Sequence, residues 1–254
     1  MPVIGVLQAV SWPNDYTVAF RQGLAEAGFV EGRNVTIQER SAEGQYDRLP
    51  ALASELIREH VAAILATTPV AALAAKAATA SIPIVFELGS DPVKDGLVAS
   101  LARPGGNVTG VTFFANLLTA KRLELLHDIV PGAVVIGFLL NPTNANAELE
   151  LKEAETAAQT LGLRLVVANA TTVEAVDDAF AEFVRQQIMA LLIAGDAYLN
   201  VARIHQIAAL ALRHAGGPFS RHGRSTRELW RQPCRVVASN RDLCRSRPQG
   251  RKTC

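Results

Sequence analysis

Short apolar runs alternate with amphipathic segments along most of this chain, and the alternation itself predicts the architecture. Val3–Leu7 (VIGVL) reads as a strand, and Tyr16, Phe20, Leu24 and Ala27 then recur at helical spacing until Gly28 supplies a left-handed stop. Val35 and Ile37 alternate with polar neighbours as a half-buried strand. Leu49, Leu52, Leu56 and Ile57 mark a second helix, and Val61–Ala66 (VAAILA) a further strand. Thr67-Thr68-Pro69 opens an alanine-rich helix, with a threonine as N-cap and proline at the first helical position. Ile84–Phe86 is a buried strand that Gly89-Ser90-Asp91-Pro92 breaks abruptly. After the turn cluster Arg103–Asn107, Val108–Phe114 forms another, whose exit is the expected crossover. The order β-α-β-α-β-α-β predicts a parallel sheet with helices on both faces.

The same pattern then begins again. Leu118–Val130 is a helix ended by Pro131-Gly132, and Val134–Leu140 is a continuous apolar strand. Asn141–Asn144 is a turn; Leu151, Ala154, Ala158 and Leu161 give a helix; Leu163–Ala168 is a strand. Thr171-Thr172-Val173-Glu174 carries a capping box ahead of Val173, Val176, Phe180 and Val184. Ile188–Ala194 is a strand with Gly195-Asp196 at its exit, and Val201, Ile204, Ala208 and Leu212 predict one more helix. Two α/β lobes follow, residues 1–115 and 116–215, alike in architecture without visible sequence repetition. Beyond Ala215 the periodicity stops. Val236-Val237-Ala238 is the best apolar run there, and it is too short for a strand.

Composition sharpens that division. Hydrophobic residues make up 49% of the chain and charged ones 19%, which is globular, and no apolar run reaches the ~18 residues of a membrane helix, so the chain is not expected to be membrane-embedded. The net charge of +1 hides an asymmetry: residues 1–215 hold 15 basic and 22 acidic groups, whereas residues 216–254 hold 10 and 2. A nucleic-acid partner is therefore not expected of the acidic body. The three cysteines, Cys234, Cys244 and Cys254, all fall in the basic tail at a spacing unlike zinc-binding pairs. The first residues, MPVIGVLQAV, lack the basic and long apolar regions of an export signal.

With parallel strands, the loops after them converge on one cleft. The first lobe brings Gln8 to Trp12, Thr67, Thr68, Ser90 and Asp91; the second brings Asn141, Asn144, Asn146, Asn169 and Asp196. Such a set suits a small polar or zwitterionic ligand: hydroxyls and helix N-termini receive a carboxylate, and Asp91 or Asp196 an ammonium. Cap and turn roles account equally well for Thr68 and Asp91. Trp12 and Tyr198 offer faces for stacking, and packing explains them as readily. His60, His127, His205 and His214 fall in or beside helical patterns with no paired nucleophile or metal spacing. No nucleophile elbow, Walker loop or dinucleotide fingerprint is present, and no cofactor is implied.

The segments MPVIGVLQ, AFRQGLAEAGFVEGRNV, AEGQYDRLPALASELI, ATTPVAALAAKAATASIPIVF, SDPVKDGLVASLARPGGNVTGVTF, AKRLELLHDIVPGA and LLNPTNANAE together resemble the ABC transporter substrate-binding protein family that includes tryptophan- and tyrosine-binding members. The resemblance spans about residues 2 to 214 and is most specific in SDPV…LARPGGNVTGV. It implies a periplasmic-binding-protein-like type I α/β fold, in which two parallel-sheet, three-layer lobes are joined by a hinge and hold ligand between them. It further implies a non-enzymatic, periplasmic subunit that delivers an amino acid or similar solute to an ABC permease and its ATPase. Carried onto matching positions, the ligand-facing loops are TTP (Thr67, Thr68), SDP (Ser90, Asp91), NPTNAN (Asn141, Asn144, Asn146) and GDA (Asp196). The alternative from another class is a cytoplasmic ligand-sensing regulatory domain of the same fold; against it, strand one begins at residue 3 and leaves no room for an N-terminal DNA reader.

Family members usually carry an export signal before the VIGVL strand, and they continue past the last recognised helix into a strand and a Gly-rich return to the first lobe. Residues 216–254 match none of this, which leaves the fold incomplete at the C-terminus. Arginine frequency, cysteine position and lost periodicity all change together near Ala215, as expected of a reading-frame shift in the gene. Translating the gene in its two other frames is expected to restore an apolar strand and a Gly-rich segment after Ala215. A gene in which neither frame does so overturns that reading.

Overall fold

The structure, a computed structural model, describes residues 1–11, 14–114, 118–214 and 237–238. The chain divides into two compact units, residues 1–117 with 142–148, and residues 118–141 with 149–254.

The first unit is built on five parallel strands, β1 (Val3–Gln8), β2 (Thr36–Ser41), β3 (Ala63–Ala66), β4 (Ile84–Leu88) and β5 (Val108–Thr112), in the order β2-β1-β3-β4-β5. Helix α1 (Asn14–Glu26) stops as its sequence requires: Gly28 sits at φ +86°, and the Phe29 N–H returns to the Leu24 carbonyl at 2.8 Å. Helices α2 (Leu49–Arg58) and α3 (Pro69–Ala78) pack against the sheet. Leu52, Ala53 and Leu56 of α2 and Ala71, Ala72 and Ala75 of α3 are buried in one core with Leu7, Ile64, Ile84, Phe86 and Val108 of the strands. Gly5 makes the fit possible, since a Cβ there would stand 3.0 Å from the Leu56 methyls. Thr68 caps α3 with its hydroxyl oxygen accepting the Ala71 N–H at 3.3 Å, and Pro69 follows at the first helical position.

The second unit repeats the arrangement with β6 (Val135–Leu140), β7 (Arg164–Asn169), β8 (Ala190–Ile193) and β9 (Val237–Ala238), ordered β7-β6-β8-β9 and parallel throughout. Its helices are α4 (Thr119–Ile129), α5 (Ala147–Thr160), α6 (Val173–Arg185) and α7 (Ile204–His214). All four residues of β8 are buried, as expected of an inner strand of a parallel sheet. Gly137 admits Phe183 and Ile188 close to β6, and Phe183 meets Phe180 edge to face at 6.1 Å.

Several local expectations are corrected. β3 begins at Ala63, because Val61 ends the turn after α2, and β8 begins at Ala190, because Gln187 takes a left-handed conformation just before it. β5 stops at Thr112, which leaves Phe113 exposed. The capping box at Thr171 does not form: Thr172 is the cap, accepting the Ala175 N–H at 3.1 Å, so Glu174 lies one residue too early. On α7 the buried stripe is Ile207 and Leu210, and Leu212 faces out; Val201 belongs instead to a π-helical turn at Tyr198–Ala202. The short run in the tail does pair, Val237 with Leu191 and Ala238 with Leu192, because β8 offers an open parallel edge. The rest of the tail, and with it the reading-frame expectation, lies outside the described residues.

Of the glycines described in the first sheet, Gly110 is the more tightly enclosed. It pairs with Phe86 in register, and a Cβ there would lie 2.1 Å from the Phe86 carbonyl oxygen and 2.6 Å from its ring. Gly110→Ala is expected to lower stability by about 1–3 kcal/mol in urea melts, the usual cost of overpacking. Gly132→Ala, with nothing within 4 Å of the added methyl, is the control expected to leave the midpoint nearly unchanged.

Candidate functional site

Parallel strands leave both sheets at one edge each, and the polar residues singled out in the sequence collect there. In the first unit Gln8 ends β1, Thr67 follows β3, and Ser90 opens the loop after β4; they are 1%, 8% and 3% exposed. Gln8 Nε2 is buried and forms no hydrogen bond among the described residues. Burying a donor unpaired costs on the order of 1–3 kcal/mol, so such atoms are rare and call for a reason. Trp12, which the sequence places beside it, lies outside the described residues.

The loop after β4 folds into a single tight turn. Asp91 Oδ1 accepts the Val93 and Lys94 N–H groups at 3.0 and 3.4 Å, so this carboxylate is engaged by its own turn. The Asp95 N–H reaches the Asp91 carbonyl at 2.9 Å, which brings Asp95 back one turn later, where the Ser90 hydroxyl donates to its carboxylate. Thr112 Oγ1 donates to the Ser90 carbonyl at 2.5 Å, and Lys76 Nζ ties the far side of the loop through the Gly96 and Leu97 carbonyls at 2.7 and 3.1 Å. Burial pushes the Asp95 carboxyl above its usual range, while the Ser90 and Asn146 side chains pull it back. Residues 142–148 group with this unit. Asn146 is buried, and Asn144 Oδ1 accepts its backbone N–H at 2.9 Å.

In the second unit Asn141 and Asp196 are 1% and 2% exposed. Asn141 Nδ2 donates to Asp196 Oδ1 at 3.2 Å, and the same oxygen accepts the Leu199 N–H at 3.1 Å at the start of the π-helical turn. Turns of that kind are enriched at functional sites. Tyr198 is buried within it, with the Arg203 guanidinium 5.2 Å from its ring centroid, so the face considered for ligand stacking already packs against a cation. Behind Asp196 stands Glu150, whose carboxyl burial pushes upward against the opposing pull of the Gly195 N–H, Arg122 and Thr119.

Thr67, Ser90, Asn146 and Gln8 are thus placed at the first unit's edge, and Asn141 and Asp196 at the second's. Thr68, Asp91 and Asn144 are engaged in local caps and turns. Sequence reasoning missed Asp95, Arg122 and Glu150. The signal for Asp95 is the spacing in SDPVKD, where Asp-Pro begins a turn and a second Asp returns four residues later. For the other two it is a charge on each buried helical stripe, Arg122 beside Leu123 and Leu126, and Glu150 between Ala147 and Ala154.

Two parallel α/β units with polar strand exits define a class of solute-binding architecture, and comparison with known proteins agrees. The model of the ABC transporter substrate binding protein family matches residues 3–210, and the chain belongs to that family. It is 30% identical over 183 residues to the tyrosine-binding protein of Clostridioides difficile (strain R20291), an overlap of 71% of this chain and 52% of that protein. The chain therefore spans about half the length of that relative. Among solved structures, the ABC domain in complex with L-Trp from Streptococcus pneumonia superposes with a TM-score of 0.71 at 22% identity, over 84% of this chain and 71% of that one. A conserved domain protein from Vibrio cholerae O1 biovar El Tor gives 0.69 at 27% identity, over 84% and 70%. The fold is the periplasmic-binding-protein-like type I α/β fold. No described helix is long and apolar enough to cross a membrane.

The raised Asp95 carboxyl has a consequence for stability. A carboxyl that holds its proton more tightly folded than unfolded stabilises the fold fully below the ordinary value of 3.8, and that contribution is lost as pH rises through the higher folded value. Asp95→Asn is expected to flatten the fall of stability with pH just above 3.8, measured by urea melts across acid pH. An unchanged slope contradicts the assignment.

Proposed function

We propose that this chain is the solute-binding component of an ABC importer, without enzymatic activity of its own, and that its ligand is an amino acid or a similar small zwitterion. The observation that carries the reading is Gln8 Nε2, a buried donor at a strand exit with no hydrogen bond among the described residues. A ligand acceptor such as a carboxylate oxygen would offset the cost of burying it. Asp95, held by Ser90 beside it, supplies the complementary charge for an ammonium group and takes the role the sequence suggested for Asp91. Thr67 adds a hydroxyl at the neighbouring strand exit. In the second unit, Asn141 with Asp196 offers a polar contact of its own, with the Asp196 carboxylate orienting the amide. The names of the relatives support the ligand class, since one binds tyrosine and another was solved with L-Trp. The partners are then a permease and its ATPase, and the place of action is the periplasm.

The test is thermal-shift screening with L-tyrosine, L-tryptophan and other amino acids. A ligand at about 100 times its Kd is expected to add ~2.7 kcal/mol, a few degrees in Tm. Gln8→Leu separates binding from folding, because replacing an unsatisfied buried amide by an apolar group of similar size is neutral or stabilising. It is expected to keep or raise the ligand-free Tm while weakening the ligand-induced shift. No shift with any amino acid, or a full shift in Gln8→Leu, sinks the reading.

A further inference from the structure

The second unit buries a pair of opposite charges that ligand contact alone does not require. Arg122 on α4 and Glu150 on α5 are 1% and 3% exposed, with Nη1 and Oε1 3.7 Å apart. Mutual attraction in a buried ion pair seldom offsets its desolvation, and apolar side chains of similar size often do as well, so its value lies in what it holds. Both oxygens of Glu150 accept the Gly195 N–H, at 2.8 and 2.9 Å, and Oε1 also accepts the Thr119 hydroxyl at 2.9 Å. Arg122 Nη2 donates to the Ile193 carbonyl at 2.5 Å. The pair thereby grips the main chain on either side of Ala194, and the next residue after Gly195 is Asp196.

The same cluster also fastens the points at which the chain passes into this unit. The unit comprises residues 118–141 and 149 onward, so Thr119 and Glu150 each stand one residue inside such a crossing. Their mutual hydrogen bond ties the two crossings together, and the bond from Gly195 ties both to the exit of β8. Asn200 closes the far side, its Nδ2 donating to the Ala194 and Asp196 carbonyls at 2.6 and 3.0 Å.

We propose that Glu150, held by Arg122 and Thr119, is a positioning residue that fixes the Asp196 carboxylate and through it the direction of the Asn141 amide. The proposal rests on the reading of Asn141 and Asp196 as ligand contacts. A displacement at Gly195 moves Asp196 and with it the carboxylate oxygen that the Asn141 amide donates to, so the cluster acts on affinity as well as on the fold.

The experiment compares Glu150→Gln, Thr119→Val and the conservative Thr119→Ser in the full chain, with Phe180→Leu as a variant that destabilises the same unit away from the cluster. Nitrogen–proton correlation spectra follow the Gly195 amide and the Asn141 side-chain amide without ligand, and calorimetry follows L-tyrosine and L-tryptophan. Glu150→Gln and Thr119→Val are expected to move both resonances and to weaken binding about tenfold or more, the first by removing the charged acceptor of the Gly195 N–H and the second by removing a donor that holds that acceptor in place. Thr119→Ser restores both, and Phe180→Leu lowers Tm while leaving both unchanged. If Glu150→Gln does not fold, Thr119→Val alone decides. A folded variant with unmoved Asn141 resonances, or an affinity loss equal to that of Phe180→Leu at equal Tm, overturns the proposal. A parent chain that binds neither amino acid defeats the functional reading instead, and the Asn141 resonances still decide the positioning role.

Discussion

A parallel strand can pair with the next only after the chain has crossed back over the sheet, so every strand must leave at the same edge as its neighbours. That constraint governs both units. The strand interiors are apolar and buried, with Ile64, Ile84, Phe138 and Ile193 at or near zero exposure. Polar groups are thereby gathered at the exits, where the backbone must turn and cap the next helix. Gln8, Thr67 and Ser90 share one such edge because β1, β3 and β4 are adjacent in one sheet, although far apart in the chain. Asn141 and Asp196 share the other because β6 and β8 are neighbours.

The two edges meet the cost of buried polarity differently. On the first, Ser90 is satisfied by Asp95 and Thr112, and the atoms left without a hydrogen bond among the described residues include neutral amide donors at Gln8 and Asn146. A neutral orphan carries a modest penalty, small enough for a folded chain to tolerate. On the second, the carboxylate of Asp196 is enclosed by Asn141 and Leu199, with Glu150 held behind it. An unpaired charge there would cost several kcal/mol, so the carboxylate itself has to be met by protein donors. The first edge thus leaves neutral amide donors unpaired, and the second encloses its Asp196 carboxylate with protein donors.

The strand and helix order was legible because each element carries a strong period and short connections, from VIGVL at β1 to IMALLIA at β8. Boundaries were less so. Val61 and Ile188 extend apolar runs that the backbone has not yet straightened, and Leu212 keeps helical spacing on a face that packing does not use. At the site, hydrogen-bond capacity was visible and its use was not. Asp91 and Asp95 differ little as letters, yet one carboxylate closes its own turn and the other is returned to Ser90. Glu150 and Gly195 are 45 residues apart in the chain and bond to each other, a pairing no local pattern encodes. Val237 and Ala238 show the reverse case, a run too short to predict that finds a partner edge at β8.

Lys76 lies in the last turn of α3, and its ammonium closes the loop that carries Ser90 and Asp95. Helix ends fray more readily than helix centres, and a loop tied to a helix end inherits its fluctuations. Lys76 therefore ties one side of this loop to the end of α3, while Thr112 and the Asp91 turn hold the other. A loosening of that alanine-rich helical turn would thus be felt at the first unit's polar edge, some twenty residues away in sequence.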